Sequence, residues 1–197
     1  MRLFVAILLS AETRALARAE IERLRPLSRA VAWVPPDNLH ITLKFLGEQP
    51  PGRLEEIGAG LREAAGGSRA FDLALRGLGA FPGLERPKIL WIGAAQGALE
   101  ARGLQAGLDA ALAERGFAPE SRPWHPHLTI GRVFDERRWQ REAGPELRQA
   151  VAEAGRRDYG VAPVAALSLV ESELRPSGAR YAEVLSCRLG PFAGGDP

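Results

Sequence analysis

The chain has 197 residues, 46% of them hydrophobic and 25% charged, which is enough apolar material for a packed core and excludes a disordered chain. A formal net charge of only +2 excludes an overwhelming basic field and confines any nucleic-acid contact to a local patch. Of the 26 basic residues only Lys44 and Lys88 are lysines, a bias read as genome composition rather than as an arginine-rich recognition surface.

Residues 3–9 are apolar on every position and read as a central strand. They are too few to span a bilayer and lack a cleavage region, so the expectation is a cytoplasmic protein without membrane contact. Ser10 is placed to cap a helix with Ala17, Ile21 and Leu24 on one stripe, closed by Pro26. Val34-Pro35-Pro36-Asp37 reads as a turn, His40–Leu46 as a strand, and Gly47–Gly52 as a loop. A helix carrying Leu54, Ile57 and Leu61 then ends at Gly66-Gly67, followed by a strand with Phe71, Leu73 and Leu75 on one face.

The segment Phe81–Pro87 reads as a hinge, after which the order restarts. Ile89–Gly93 is a strand, Leu104, Leu108, Ala111 and Leu112 mark a helix, and a second strand opens at His127. Leu147, Ala150, Val151 and Ala154 mark a helix behind Pro145. Val164–Val170 and Tyr181–Leu189 close the chain as paired strands joined by Arg175-Pro176-Ser177-Gly178. Cys187 is the sole cysteine, which rules out an intramolecular disulfide and suits a small buried hydrophobe. A β-α-β-α-β pattern appearing twice predicts a duplication: one bilobal domain over 1–197, with lobes at about 1–80 and about 87–190.

One short pattern recurs in the two halves, His40-Ile41-Thr42-Leu43 and His127-Leu128-Thr129-Ile130. Regular alternation puts His40, Thr42 and Lys44 on one face and Ile41, Leu43 and Phe45 on the other. His127 and Thr129 share a face in the same way. Lobes related by a two-fold axis would set His40 opposite His127 across a cleft. Two imidazoles can then move two protons in one displacement, because both ionisation states are accessible near neutrality. Two threonine hydroxyls beside them can donate to anionic oxygens, which suits a phosphodiester better than a carbonyl. No acidic third member stands in the pattern to build a nucleophile triad.

The neighbouring residues read more plainly. Lys44 is expected as an exposed strand lysine, and Arg132 falls on the face opposite His127 unless the strand bends. His125 is expected to flank the cleft or face solvent. With three histidines, no nearby cysteine and no His-Glu-x-x-His pattern, no metal site is expected. Trp124 and Phe45 are the aromatics nearest the two patterns and are candidates for base binding. Trp33, Trp91 and Trp139 read as core or interface packing.

The run Trp33-Val34-Pro35-Pro36-Asp37-Asn38-Leu39-His40-Ile41-Thr42-Leu43-Lys44-Phe45-Leu46-Gly47-Glu48 resembles the first signature of the two-histidine (2H) phosphoesterases. Pro126-His127-Leu128-Thr129-Ile130-Gly131-Arg132 resembles the second. The nearest branch is the RNA 2′,3′-cyclic phosphodiesterases, also called 2′-5′ RNA ligases. The likeness extends from Arg2-Leu3-Phe4-Val5-Ala6-Ile7 to Leu169-Val170-Glu171-Ser172, Gly178 and Tyr181. The resemblance implies an α+β fold: duplicated β-α-β-α-β lobes whose two antiparallel sheets form a central cleft, with helices outside. It implies that His40 and His127 are catalytic, that Thr42 and Thr129 hold phosphate, and that Arg132 assists them. The implied activity is hydrolysis of an RNA or oligonucleotide 2′,3′-cyclic phosphate end to a 2′-phosphomonoester by a monomer, without metal or cofactor. His127 is taken as base and His40 as acid, although near-symmetry leaves the reverse open. The alternatives are 2′-5′ ligation or hydrolysis, and an RNA-binding module without turnover.

Overall fold

The computed structural model describes residues 1–142, 145–176 and 178–192. In chain order the elements are β1 (Arg2–Leu8), α1 (Ala11–Leu24), β2 (Val31–Trp33), β3 (His40–Glu48), α2 (Leu54–Gly66), β4 (Phe71–Phe81), β5 (Ile89–Ala94) and α3 (Ala98–Ala113). They continue as β6 (His127–Val133), α4 (Glu136–Glu142), α5 (Pro145–Glu153), β7 (Asp158–Val164), β8 (Ala166–Arg175) and β9 (Gly178–Arg188). Two antiparallel sheets result, one ordered β3-β1-β8-β9 and the other β2-β6-β5-β4-β7. The fold is α+β, as expected.

The local chemistry explains most boundaries. Ser10 caps α1, its Oγ accepting the Thr13 N–H at 3.2 Å. Ala17, Ile21 and Leu24 are the buried stripe that spacing predicted. β1 is buried from Leu3 to Ile7 because it lies between β3 and β8. α2 and α3 pack against each other at Gly60, where an added Cβ would lie 2.9 Å from a Leu112 methyl. A single apolar cluster joins both sheets to their helices, and a small separate one comprises Phe4, Ala6 and Val170 with Tyr181 against it. Cys187 is buried. No helix among the described residues is long and apolar enough to cross a membrane.

Several expectations are corrected. β2 and β7 had no sequence signal: the first has three residues, and the second has only Tyr159, Ala162 and Val164 buried. The strand expected from Val164 starts at Ala166, and β3 runs to Glu48, past the expected loop start at Gly47. Of the expected closing turn, Ser177 lies outside the described residues. The segment after Phe81 links β4 to β5, which are neighbours in one sheet, so it does not divide the molecule. The sheets do not follow the division at about 80–87 either. The first combines strands from both chain ends, because β8 pairs with β1 rather than staying with the second half.

Candidate active site

Each patterned strand carries the same irregularity. In β3, Val5 pairs with Lys44 and Ala6 with Thr42, so Leu43 is an extra residue. In β6, Leu90 pairs with Gly131 and Trp91 with Thr129, so Ile130 is the extra one. A bulge of this kind inverts the alternation that follows it. Lys44 therefore turns inward to 3% exposure, and Phe45 turns outward to 63%. This overturns both the exposed lysine and the apolar-face phenylalanine. In β6 the same shift buries Gly131 and returns Arg132 to the histidine side, supplying the bend that its role required.

The two imidazoles are held alike. His40 Nδ1 lies 2.8 Å from the Asn38 carbonyl, and His127 Nδ1 lies 2.7 Å from the His125 carbonyl. A carbonyl only accepts, so Nδ1 carries the hydrogen in both rings and Nε2 is left for chemistry. Thr42 Oγ1 stands 3.0 Å from His40 Nε2. The His40 ring packs on Phe4 at 4.8 Å and meets Tyr181 edge-on at 5.2 Å. His127 meets Phe81 edge-on at 5.2 Å, and Phe81 rests on Trp91. Asn38 Nδ2 donates to the Ala179 carbonyl, fixing the turn before β3 to β9.

Burial of both rings pushes their pKa values below the ordinary histidine value. The carbonyl bonds oppose that shift, and the Arg132 guanidinium adds to it in both cases. One cation thus acts on both imidazoles. His40, Phe45, Arg132, Phe4 and Tyr181 line one hollow of about 400 Å³. His127 lines a second hollow of about 260 Å³ with Phe81, Trp91, Arg102 and His125. Two larger hollows, at Arg69–Phe71 and at Phe134–Arg137, contain none of the patterned residues and lie away from this chemistry.

Thr129 follows His127 on the same half-buried face. His125 is exposed at the rim. Trp124 is only partly buried, and its Nε1 donates to the Thr42 carbonyl at 3.1 Å, which joins the two patterns and leaves its hydrogen unavailable to a base. Phe45 stays open in the larger hollow. Trp139 is fully buried, while Trp33 and Trp91 are partly buried. Among the described residues no group of three or more His, Cys, Asp or Glu side chains gathers. Sequence reasoning missed the Asn38 and His125 carbonyls, Phe4, Tyr181 and Phe81. No local pattern marks residues that reach a site from other strands.

The family model of the 2′-5′ RNA ligase superfamily matches residues 13–175. An RNA 2′,3′-cyclic phosphodiesterase of Methanothermobacter thermautotrophicus is 32% identical over 96% of this chain and 99% of its own. One from Thermus thermophilus is 34% identical over 92% and 86%. Among solved structures, a Thermus thermophilus protein superposes with a TM-score of 0.75 at 32% identity, covering 98% of this chain and 100% of that one. E. coli LigT complexed with 3′-AMP gives 0.75 at 26% identity, covering 95% and 97%.

Proposed function

The chain belongs to the 2′-5′ RNA ligase superfamily, and from that premise we propose that it hydrolyses the 2′,3′-cyclic phosphate end of RNA to a 2′-phosphomonoester. The observation that carries this reading is the shared ring geometry: both Nδ1 atoms are spent on backbone carbonyls, so both Nε2 atoms, the His40 one beside the Thr42 hydroxyl, are left to exchange protons. The relatives named RNA 2′,3′-cyclic phosphodiesterase support the substrate class.

In the proposed reaction His127 Nε2 takes a proton from water as its oxygen attacks phosphorus. The bond from phosphorus to the 3′-oxygen breaks, and His40 Nε2–H delivers the proton that this oxygen needs. The product is a 2′-phosphomonoester with a free 3′-hydroxyl, and the rings have exchanged protonation states until solvent resets them. Thr42 and Thr129 donate to the non-bridging oxygens, and Arg132 balances the charge that grows on them. In the free protein both rings are neutral near pH 7, being depressed by burial and by Arg132. The bound phosphodiester anion favours the charged form of the rings, offsets the Arg132 cation, and lets one ring take up the proton that it then donates.

EDTA-treated protein is incubated with an oligonucleotide ending in a 2′,3′-cyclic phosphate, and the product is read by phosphorus NMR. The expected product is the 2′-phosphate. His40→Ala and His127→Ala each lose about 10²–10⁴-fold in turnover. A 3′-phosphate product, or bound RNA without turnover, overturns the reading, and the second outcome favours a binding module. A substrate with sulfur in place of the 3′-oxygen separates the roles, because a thiolate leaves without a proton. It rescues His40→Ala and not His127→Ala. The opposite rescue exchanges acid and base.

A further inference from the structure

Residues 118–126 carry the chain from the end of α3 to His127 without helix or strand, and residues 118–123 are all exposed. Among the described residues, 118–126 form no backbone-to-backbone hydrogen bond outside the sheets. So little burial and pairing would leave such a segment loosely held, yet the His127 ring takes its orientation from the His125 carbonyl.

The restraint comes from the other patterned strand. Lys44, turned inward by the bulge, donates from Nζ to Asp109 Oδ1 on α3 and to the Ala118 carbonyl at 2.7 Å. Asp109 Oδ2 accepts the Glu120 N–H at 3.0 Å. Four residues on, Trp124 Nε1 reaches back to the Thr42 carbonyl. The path to His127 is thus fastened at three points, at Ala118 and Trp124 to β3 and at Glu120 to Asp109 of α3.

We propose that Lys44 and Asp109 are positioning residues, which together with Trp124 hold the His127 ring in place against the His40 ring. Packing alone does not call for this pair. A buried ion pair costs desolvation and is often replaceable by apolar residues without loss of stability. The equivalent place in β6 is Gly131, where an added Cβ would meet a Val31 methyl at 2.6 Å, so the bulge itself does not require a cation. What the lysine supplies is direction: one hydrogen bond onto the segment at Ala118, and a second to Asp109, whose other oxygen accepts the Glu120 N–H. The inference rests on the proposed hydrolysis, in which the two rings act on one phosphorus.

The test replaces the pair by apolar side chains of similar size, Lys44→Met with Asp109→Leu. It compares kcat and KM on a 2′,3′-cyclic nucleotide, thermal melting, and NMR titration of the histidine rings with those of the wild type. Positioning predicts a melting temperature within about 5 °C of the wild type, kcat down about 10- to 100-fold, KM nearly unchanged, and a displaced titration of His127 but not His40. A folded variant with wild-type kcat and wild-type titrations overturns the proposal. Should the double variant not fold, Trp124→Phe removes one fastening from a partly exposed site, and the same two outcomes decide. If the wild type hydrolyses no cyclic phosphate, the proposed function fails by itself. The ring titrations of the folded variants then decide the brace alone, an unmoved His127 counting against it.

Discussion

Neutral, buried imidazoles carry a stability consequence that can be measured without any substrate. The folded pKa values of His40 and His127 are both depressed, chiefly by burial. The unfolded chain therefore binds protons first as pH falls through about 6.5, the ordinary histidine value. Stability conferred by the neutral rings is complete above that pH and is lost progressively below it, until the folded rings also protonate. Inside that window each histidine contributes at most about 1.4 kcal/mol per pH unit, so the pair approaches about 2.7 kcal/mol per unit. Both rings retain some exposure, so solvent screening places the observed slope below that ceiling. Urea unfolding at fixed ionic strength from pH 7.5 to 5.5 gives the slope, and His40→Asn combined with His127→Asn gives the reference. The double variant should lose most of the pH dependence over this range. An unchanged slope in the double variant would refute the burial argument, and with it the claim that the rings rest neutral.

The same depression fixes the catalytic profile: kcat/KM, which reports the free enzyme, should be bell-shaped with its maximum below about pH 6.5. A maximum near pH 8 would contradict the ring environments, and the limbs belong to the coupled pair rather than to single residues. Arg132→Gln removes the cation common to both rings, so both histidine titrations should move up while kcat falls about 10²–10³-fold. NMR titration beside steady-state kinetics checks the two effects together, and unmoved rings would separate Arg132 from the site. Phe45→Ala should weaken oligonucleotide binding by about 1–3 kcal/mol, the usual worth of one stacked base, with little effect on melting because Phe45 is 63% exposed. Equal affinities in a binding titration would assign the base to another wall.

The periodic parts of the chain were readable. Among the described residues, seven of the nine strands and the four long helices were legible as apolar alternation or stripes, and the two histidine patterns stood out by repetition. What failed did so for stated reasons. Alternation assumes a regular ladder, and the extra residues Leu43 and Ile130 break it, so Lys44 and Phe45 were read on the wrong faces while Arg132 needed a bend that only the register supplies. Three-residue β2 is too short to carry a period, and β7 interrupts its own with Gly160 and Pro163. The halves were read as separate lobes because sequence order suggests local pairing. The pairing of β1 with β8 joins residues more than 160 positions apart, and nothing local announces it. Tyr181 reaches His40 along that same route.

That long-range pairing governs how the molecule comes into being. A ribosome that has released residues 1–133 has made both patterned histidines, yet the sheet bearing His40 still has two of its four strands unmade. β1 spends synthesis with a bare edge, and Tyr181, a wall of the His40 pocket, is among the last side chains to emerge. A nascent chain thus lacks one wall of the His40 hollow until it is nearly finished, and loss of β9 would open that hollow while sparing both histidine patterns.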